Sequence, residues 1–202
     1  VADIEDDISG GTNTDDDSGD NVATEGDDLL IGTPQGDSIN GLGGNDTIIG
    51  LGDSDLLEGG SGDDVITGDG VDPRNPQVFP NPGAAGNDVI DGGTGNDTVN
   101  GNGGDDILFG ADGNDDLSGD AGSDFLLGMS GDDDLLGGEG NDFIYGGLDD
   151  DAIAGGSGND MFIFGAESLN GEGLRSTAEV VDFGSGDSVR IADASNGASG
   201  LT

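Results

Sequence analysis

An aspartate recurs at a fixed place in a nine-residue repeat that runs through residues 24–164. Segments such as GSGDDVITG (60–68), GTGNDTVNG (93–101) and GEGNDFIYG (138–146) share the frame x-x-Gly-(Asn/Asp)-Asp-x-apolar-x-Gly. Because the period is constant, each carboxylate would lie above the next one in a stack of repeats. The column consists of Asp28, Asp37, Asp46, Asp55, Asp64, Asp88, Asp97, Asp106, Asp115, Asp124, Asp133, Asp142, Asp151 and Asp160.

Stacked carboxylates at strand spacing repel one another unless a cation lies between them. The two or three glycines in each unit allow sharp turns that direct main-chain carbonyl groups inward. Carboxylate and carbonyl oxygens together suit a hard divalent ion that accepts many ligands, and calcium fits this description better than magnesium or zinc. The column therefore predicts metal sites for several calcium ions.

An apolar column runs in phase with the aspartates and predicts the fold class. The x-apolar-x piece of each unit alternates like a strand and places one aliphatic side chain inside. Parallel stacking of such units gives an all-β solenoid with a thin core. The column consists of Leu30, Ile39, Ile48, Leu57, Ile66, Ile90, Val99, Leu108, Leu117, Leu126, Leu135, Ile144, Ile153 and Phe162. Two columns in phase argue against a disordered acidic tract, although we expect disorder in the metal-free chain.

On these motifs, residues 24–164 resemble the repeats-in-toxin (RTX) calcium-binding proteins, and are similar to the carboxy-terminal region of serralysin-type proteases. The resemblance implies a right-handed parallel β-roll with two nonapeptides per coil and calcium in the turns. It also implies that the Asp of one unit shares an ion with the loop two units on, so that Asp46 pairs with Asp64 and Asp142 with Asp160. Roughly ten to twelve ions would then be bound.

The resemblance further implies a secreted protein that is extracellular or at the cell surface. RTX proteins typically leave the cell through the type I secretion machinery, which reads a carboxy-terminal signal. The end of this chain lacks the apolar terminus of such a signal, so we expect a piece of a longer protein with an upstream domain. Three roles stay open: a calcium-dependent folding and export module, a structural or adhesive spacer of a large surface protein, and an accessory module of a secreted hydrolase or alginate epimerase.

Three units depart from the repeat in the glycine before the aspartate pair. Gln35 occupies this position in unit 33–41, which predicts a weak site near the amino end. Asp53 and Asp149 occupy it in units 51–59 and 147–155. Because Asp tolerates the left-handed backbone conformation better than most residues, we expect both of these turns to form.

The composition excludes several kinds of partner. The chain has 45 acidic residues, three arginines, no lysine and a net charge of −42. Nucleic-acid binding requires a basic surface, and so does attraction to an anionic membrane. About twelve calcium ions would reduce the net charge to about −18, so the metal would be part of the charge balance of the fold. With no cysteine, calcium would take the stabilising role that disulfides have in many secreted proteins.

Three segments lie outside the repeat. Residues 1–23 are acidic and out of frame, and we expect a disordered linker. Residues 69–83 contain four prolines and interrupt the repeat, which predicts a surface loop. Residues 165–202 contain a short strand-turn-strand pattern, EVVDFGSGDSVRI (179–191). This pattern predicts a β cap that covers the last apolar side chains, with Val181 among the covering residues, before a disordered tail.

Most catalytic machinery is ruled out by residue type, because the chain has no His, Cys or Lys. It therefore contains no Ser-His or Cys-His pair, no HExxH zinc helix and no Schiff-base lysine. Paired carboxylates could serve a glycosidase, but the metal sites account for them and a thin roll offers no deep pocket. We predict that this segment is not an enzyme.

Overall fold

The computed structural model describes residues 23–69, 85–166 and 179–193, and every regular element in these ranges is a strand. The predicted linker and most of the interruption and tail lie outside them. In chain order the strands are β1 (Leu29–Ile31), β2 (Ser38–Asn40), β3 (Thr47–Leu51), β4 (Leu56–Ser61), β5 (Val65–Asp69), β6 (Val89–Thr94), β7 (Thr98–Asn100), β8 (Ile107–Asp112), β9 (Asp116–Ala121), β10 (Phe125–Ser130), β11 (Asp134–Gly140), β12 (Phe143–Leu148), β13 (Ala152–Gly158), β14 (Met161–Ala166), β15 (Glu179–Asp182) and β16 (Ser188–Asp193).

Odd-numbered and even-numbered strands form two separate parallel sheets of eight strands each. We call one odd strand and the following even strand a coil, so that β1 and β2 form the first coil and β15 and β16 the last. A unit in one sheet is followed by a unit in the other, and its hydrogen-bonded neighbour is the second unit along the chain. The all-β parallel β-roll predicted from the sequence is confirmed. None of the described residues forms a helix that is long and apolar enough to cross a membrane.

The core is a single file of aliphatic side chains between the two sheets. The apolar column forms this cluster together with Ala23, and each member of the column is at most 3% exposed. Successive members of one sheet are direct register partners, as Leu108 is of Leu126. The core is only one side chain wide per strand, so the turns at the sheet edges contribute a large share of the buried atoms.

The interruption does not break the roll. Ile48 pairs with Ile66, 18 residues on, whereas Leu57 pairs with Ile90, 33 residues on. The additional 15 residues are absorbed between β5 and β6, while both sheets continue in register. Asp69, which the sequence pattern assigned to the interruption, is the last residue of β5.

The predicted strand-turn-strand after the repeats forms a further coil. β15 pairs with β13, and β16 pairs with β14. Val180 and Phe164 pack against the core, and the ring centroid of Phe183 lies 5.9 Å from that of Phe162. Val181, one of the residues predicted to cover the core, is 62% exposed. The segment therefore extends the roll by one coil, and only part of its apolar set covers the last core residues.

The outer faces of the two sheets differ. On the even-strand sheet, the residue after the column aspartate forms a continuous apolar row by register, and the rings of Phe125 and Phe143 stack at 4.2 Å. The equivalent row on the odd-strand sheet includes Thr98, Asp116 and Asp134. The apolar row consists of Leu56, Val89, Ile107, Phe125, Phe143 and Met161.

Candidate metal centre

The turn before each strand carries the column aspartate, and the roll turns its side chain inward. Thirteen of the fourteen column aspartates are buried, and Asp37 is half-buried. A carboxylate transferred from water into such an environment requires hydrogen bonds and a counter-charge. The predicted site residues are thus brought together along the two edges of the roll.

One oxygen of each buried carboxylate in the interior is satisfied by the neighbouring coil. The Oδ1 atom of Asp106 accepts a hydrogen bond from the main-chain N–H of Asp88 at 2.8 Å. Across the interruption, Asp88 Oδ1 accepts in the same way from the N–H of Asp55 at 2.8 Å. The series continues to Asp160, whose Oδ1 accepts from the N–H of Asp142 at 3.0 Å. We call this series the inner ladder, and it joins each aspartate to the one two units away, as the family resemblance implied.

The other oxygen of the same carboxylates is buried and has no hydrogen-bond donor among the described residues. Buried polar atoms in folded proteins are nearly always satisfied, so a regular series of such atoms requires an explanation. A bound cation at each turn supplies one. We call the aspartates with a free Oδ2 the interior carboxylates; they are Asp46, Asp55, Asp64, Asp88, Asp97, Asp106, Asp115, Asp124, Asp133, Asp142, Asp151 and Asp160.

Glycine opens the space beside each free oxygen. A Cβ atom on Gly92 would lie 2.6 Å from Oδ2 of Asp97 and 3.0 Å from the carbonyl oxygen of Gly110 in the next coil. The first distance is too short for a carbon atom and the second leaves it no freedom to move away, so only glycine fits at this position. A carboxylate oxygen and a main-chain carbonyl oxygen therefore face the same point between two coils, which is the donor chemistry that calcium prefers.

Several turns hold residues other than glycine in the left-handed region. Four residues before the column aspartate, Asn102 and Met129 have φ angles of 72° and 83°. Two residues before it, Asp53 and Asp149 have φ angles of 63° and 73°, which confirms the expectation that these turns form. Backbone strain of this kind persists only where the surrounding structure fixes it, and it is typical of ligand-binding turns.

Burial raises the pKa of the interior carboxylates. The pKa of Asp106 is raised to about 6, with burial as the largest cause, while the hydrogen bond from the Asp88 N–H lowers it. The pKa of Asp97 is raised to about 7, again mainly by burial, and the carboxylates of Asp115 and Asp64 raise it further. Holding these groups ionised at neutral pH therefore requires a cation nearby.

The first coil differs from the interior. Oδ2 of Asp37 accepts hydrogen bonds from the main-chain N–H of Thr33 at 2.6 Å and from its Oγ1 at 3.1 Å. Oδ2 of Asp28 accepts from the N–H and Oγ1 of Thr24 at 2.7 Å and 2.9 Å, while its Oδ1 is buried without a donor among the described residues. The threonines thus occupy the carboxylate oxygen that is free in the interior. The weak site that Gln35 predicted lies in this coil.

The last coil contains a ladder member that the sequence pattern missed. Oδ1 of Asp187 accepts from the N–H of Asp160 at 3.1 Å, and its Oδ2 accepts from the N–H of Gly184 at 2.6 Å. The signal was present in GSGD (184–187), which matches the repeat with one residue deleted before the aspartate. Asp187 ends the inner ladder with both oxygens hydrogen-bonded.

A second, exposed ladder also escaped the sequence reasoning. The N–H of Ser123 donates to Oδ1 of Asp105 at 2.9 Å, and the N–H of Asn159 donates to Oδ1 of Asn141 at 3.0 Å. This outer ladder runs along the residue before each column aspartate, with hydrogen bonds in the opposite direction to the inner one. That residue is Asn, Asp or Ser in every unit except the one with Gly36, and this restriction was the signal.

The metal-binding potential comes from main-chain atoms as well as from carboxylates. No group of three or more acidic side chains converges on one point within residues 23–69, 85–166 and 179–193. An ion between two coils would therefore be held by one or two carboxylates together with carbonyl oxygens of the glycine-rich turns. Calcium accepts such mixed oxygen ligands in flexible geometry.

Comparison with known proteins agrees with this geometry. A family model for the RTX calcium-binding nonapeptide repeat matches residues 22–57, 49–72, 82–117, 91–126, 109–144 and 127–162. These segments span more than half of the chain and include every column aspartate. A search of curated proteins finds no match. The chain belongs to the RTX calcium-binding nonapeptide repeat family.

Proposed function

We propose that this β-roll is a structural module that folds when calcium binds to its interior carboxylates. The observation that carries the proposal is the free, buried Oδ2 atom that recurs at twelve turns. Each such atom belongs to a carboxylate whose other oxygen is already fixed by the inner ladder, so its position is set before an ion arrives. The column aspartates are then the calcium ligands, with turn carbonyl groups completing each site.

The core alone is too thin to hold the metal-free chain together. One aliphatic side chain per unit must offset the ordering entropy of nine residues and the repulsion within a chain of net charge −42. Metal binding that occurs only in the folded state adds its free energy to folding. At ~10 mM calcium and a Kd of ~1 mM, each site contributes about 1.4 kcal/mol, and twelve sites contribute at most about 17 kcal/mol.

The same energetics favour a protein that works outside the cell. Extracellular calcium modules bind with Kd values of about 10⁻⁴ to 10⁻³ M, so micromolar calcium in the cytosol leaves such sites largely without an ion. The chain would remain unfolded inside the cell, which suits passage through a type I secretion channel, and would fold after export. Its contribution to the full-length protein is to stabilise the exported state.

Circular dichroism with a calcium titration tests the proposal. We expect a disordered spectrum in EDTA and a β spectrum in 10 mM calcium, with little effect of 10 mM magnesium as the control for charge screening. Magnesium demands a rigid octahedral geometry and gives up its waters reluctantly. An equally strong β signal in EDTA and in calcium would contradict the proposal.

A further inference from the structure

Asp69 is a buried carboxylate that lies outside the repeat column. It is 4% exposed and pairs in register with Leu51, which precedes the column aspartate of its own unit by four residues. The same turn position is occupied by Asp120 in a later coil. Asp120 is half-buried and its Oδ1 accepts a hydrogen bond from Oγ of Ser118 at 2.9 Å. Two aspartates at equivalent positions therefore have different environments.

The insertion accounts for this difference. Asp69 is the last described residue before the segment 70–84, and the description resumes at Ala85. Asp120 has a φ angle of 66°, whereas Asp69 is not among the described residues with positive φ. Oδ2 of Asp69 accepts a hydrogen bond from the N–H of Gly86 at 3.1 Å, so the side chain joins the two ends of the insertion.

Two free carboxylate oxygens meet in this turn. Oδ1 of Asp69 is buried without a donor among the described residues, and so is Oδ2 of Asp88. A Cβ atom on Gly68, the residue before Asp69, would collide with Oδ2 of Asp88. Burial is the largest cause of the raised pKa of Asp88, and the carboxylate of Asp69 raises it further, which indicates that the two charges interact.

We propose that Asp69 and Asp88 together bind one calcium ion at the turn where the insertion leaves the roll. The proposal rests on the function proposed above and assigns a ligand that the repeat does not contain. Calcium affinity rises with the number of charged ligands. This site has two carboxylates, so it binds calcium more tightly than the other turns and holds the ends of the insertion together.

The test compares Asp69→Asn with Asp120→Asn. Each substitution removes one negative charge from the same turn position, and the amide introduced in Asp69→Asn keeps an oxygen that accepts from the Gly86 N–H. Bound calcium is counted by mass spectrometry of metals after gel filtration, and folding is followed by circular dichroism during a calcium titration. We expect Asp69→Asn to lose about one ion, or to bind one ion about tenfold more weakly, and to fold at higher calcium. Asp120→Asn should match the wild type.

Identical ion counts and folding curves for the two variants would overturn the assignment of Asp69. If Asp69→Asn does not fold in 10 mM calcium, the measurement moves to Asp69→Gly, which carries the residue that Gly93 and Gly138 provide in other turns. Folding of Asp69→Gly with the wild-type ion count would also overturn the assignment, and folding with one ion fewer would support it. If neither variant folds at this concentration, recovery at higher calcium supports the assignment and failure to recover overturns it. A wild-type chain that binds no calcium would instead overturn the proposed function itself.

Discussion

The first coil and the interior coils carry the same aspartate column but use it differently. In the first coil, Thr33 donates two hydrogen bonds to Oδ2 of Asp37. In the interior, the residue at the same position is often glycine or has a left-handed φ angle, as Asn102 has, and Oδ2 of Asp106 has no donor among the described residues. A repeat that reads as uniform in sequence therefore contains two kinds of turn, one closed by side chains and one that requires a cation.

The difference teaches that the column aspartate alone does not define a site. A carboxylate that is already hydrogen-bonded by a threonine N–H and hydroxyl gains less from an ion than one whose oxygen is buried and free. The first coil can therefore act as a start for the roll that depends less on calcium. The predictions below test this contrast, beginning with the largest expected effect.

Acid should partly replace calcium in the interior. The folded pKa of Asp97 and Asp133 is about 7 and that of Asp106 about 6, against an ordinary value of 3.8. Between about pH 4 and pH 7 the folded chain thus binds more protons than the unfolded chain, so the free energy of unfolding of the calcium-free protein rises as the pH falls. In EDTA we expect β structure to appear on acidification from about pH 8 to about pH 5.

Circular dichroism at a series of pH values, with light scattering to detect aggregation, measures this effect. Calcium should raise the β signal strongly at about pH 8 and only weakly at about pH 5, because protons and calcium compete for the same oxygens. Gain of structure only below about pH 4, where ordinary aspartates titrate, would show that the buried interior carboxylates do not control folding.

Neutralising one carboxylate in each region gives a smaller effect that separates the two kinds of turn. Asp106→Asn keeps an oxygen for the N–H of Asp88 but removes the charge, and we expect a loss of about 2 kcal/mol of stability in calcium and of about one bound ion. Asp37→Asn should leave the ion count unchanged, because Thr33 already satisfies Oδ2. Urea unfolding in 10 mM calcium and metal analysis provide the readouts. Equal losses of ions in the two variants would remove the distinction between the coils.

The outer ladder should show no difference between the regions. Oδ1 of Asp27 accepts from the N–H of Asn45 at 2.9 Å in the first coil, and Oδ1 of Asp105 accepts from the N–H of Ser123 at 2.9 Å in the interior. Both contacts are exposed, so Asp27→Ala and Asp105→Ala should each cost about 0.5 kcal/mol without changing the number of bound ions. A loss of calcium from Asp105→Ala alone would place a ligand in the outer ladder.

The repeat pattern predicted the parts of the fold that depend on periodicity. The apolar column, for example Leu108 and Ile144, became the buried core because one side of each short strand must face inward. The pattern did not reveal Asp187, because one residue is missing before it, and it placed Asp69 in a loop, because no repeat continues from that residue. Whether a side chain turns inward at such positions depends on the path of the chain in the neighbouring coil.

The sequence by itself determined the solenoid, its two columns and the chemical class of the ion, because these follow from a nine-residue period and from the oxygen ligands it repeats. Only the tertiary structure decided which aspartates have a free oxygen. Thr33 and Asn102 occupy the same position of the repeat, yet one donates hydrogen bonds to its column aspartate and the other has a left-handed φ angle. The physical reason is that each turn is completed by atoms of the next coil, 18 or 33 residues away, and a local pattern contains no information about those contacts.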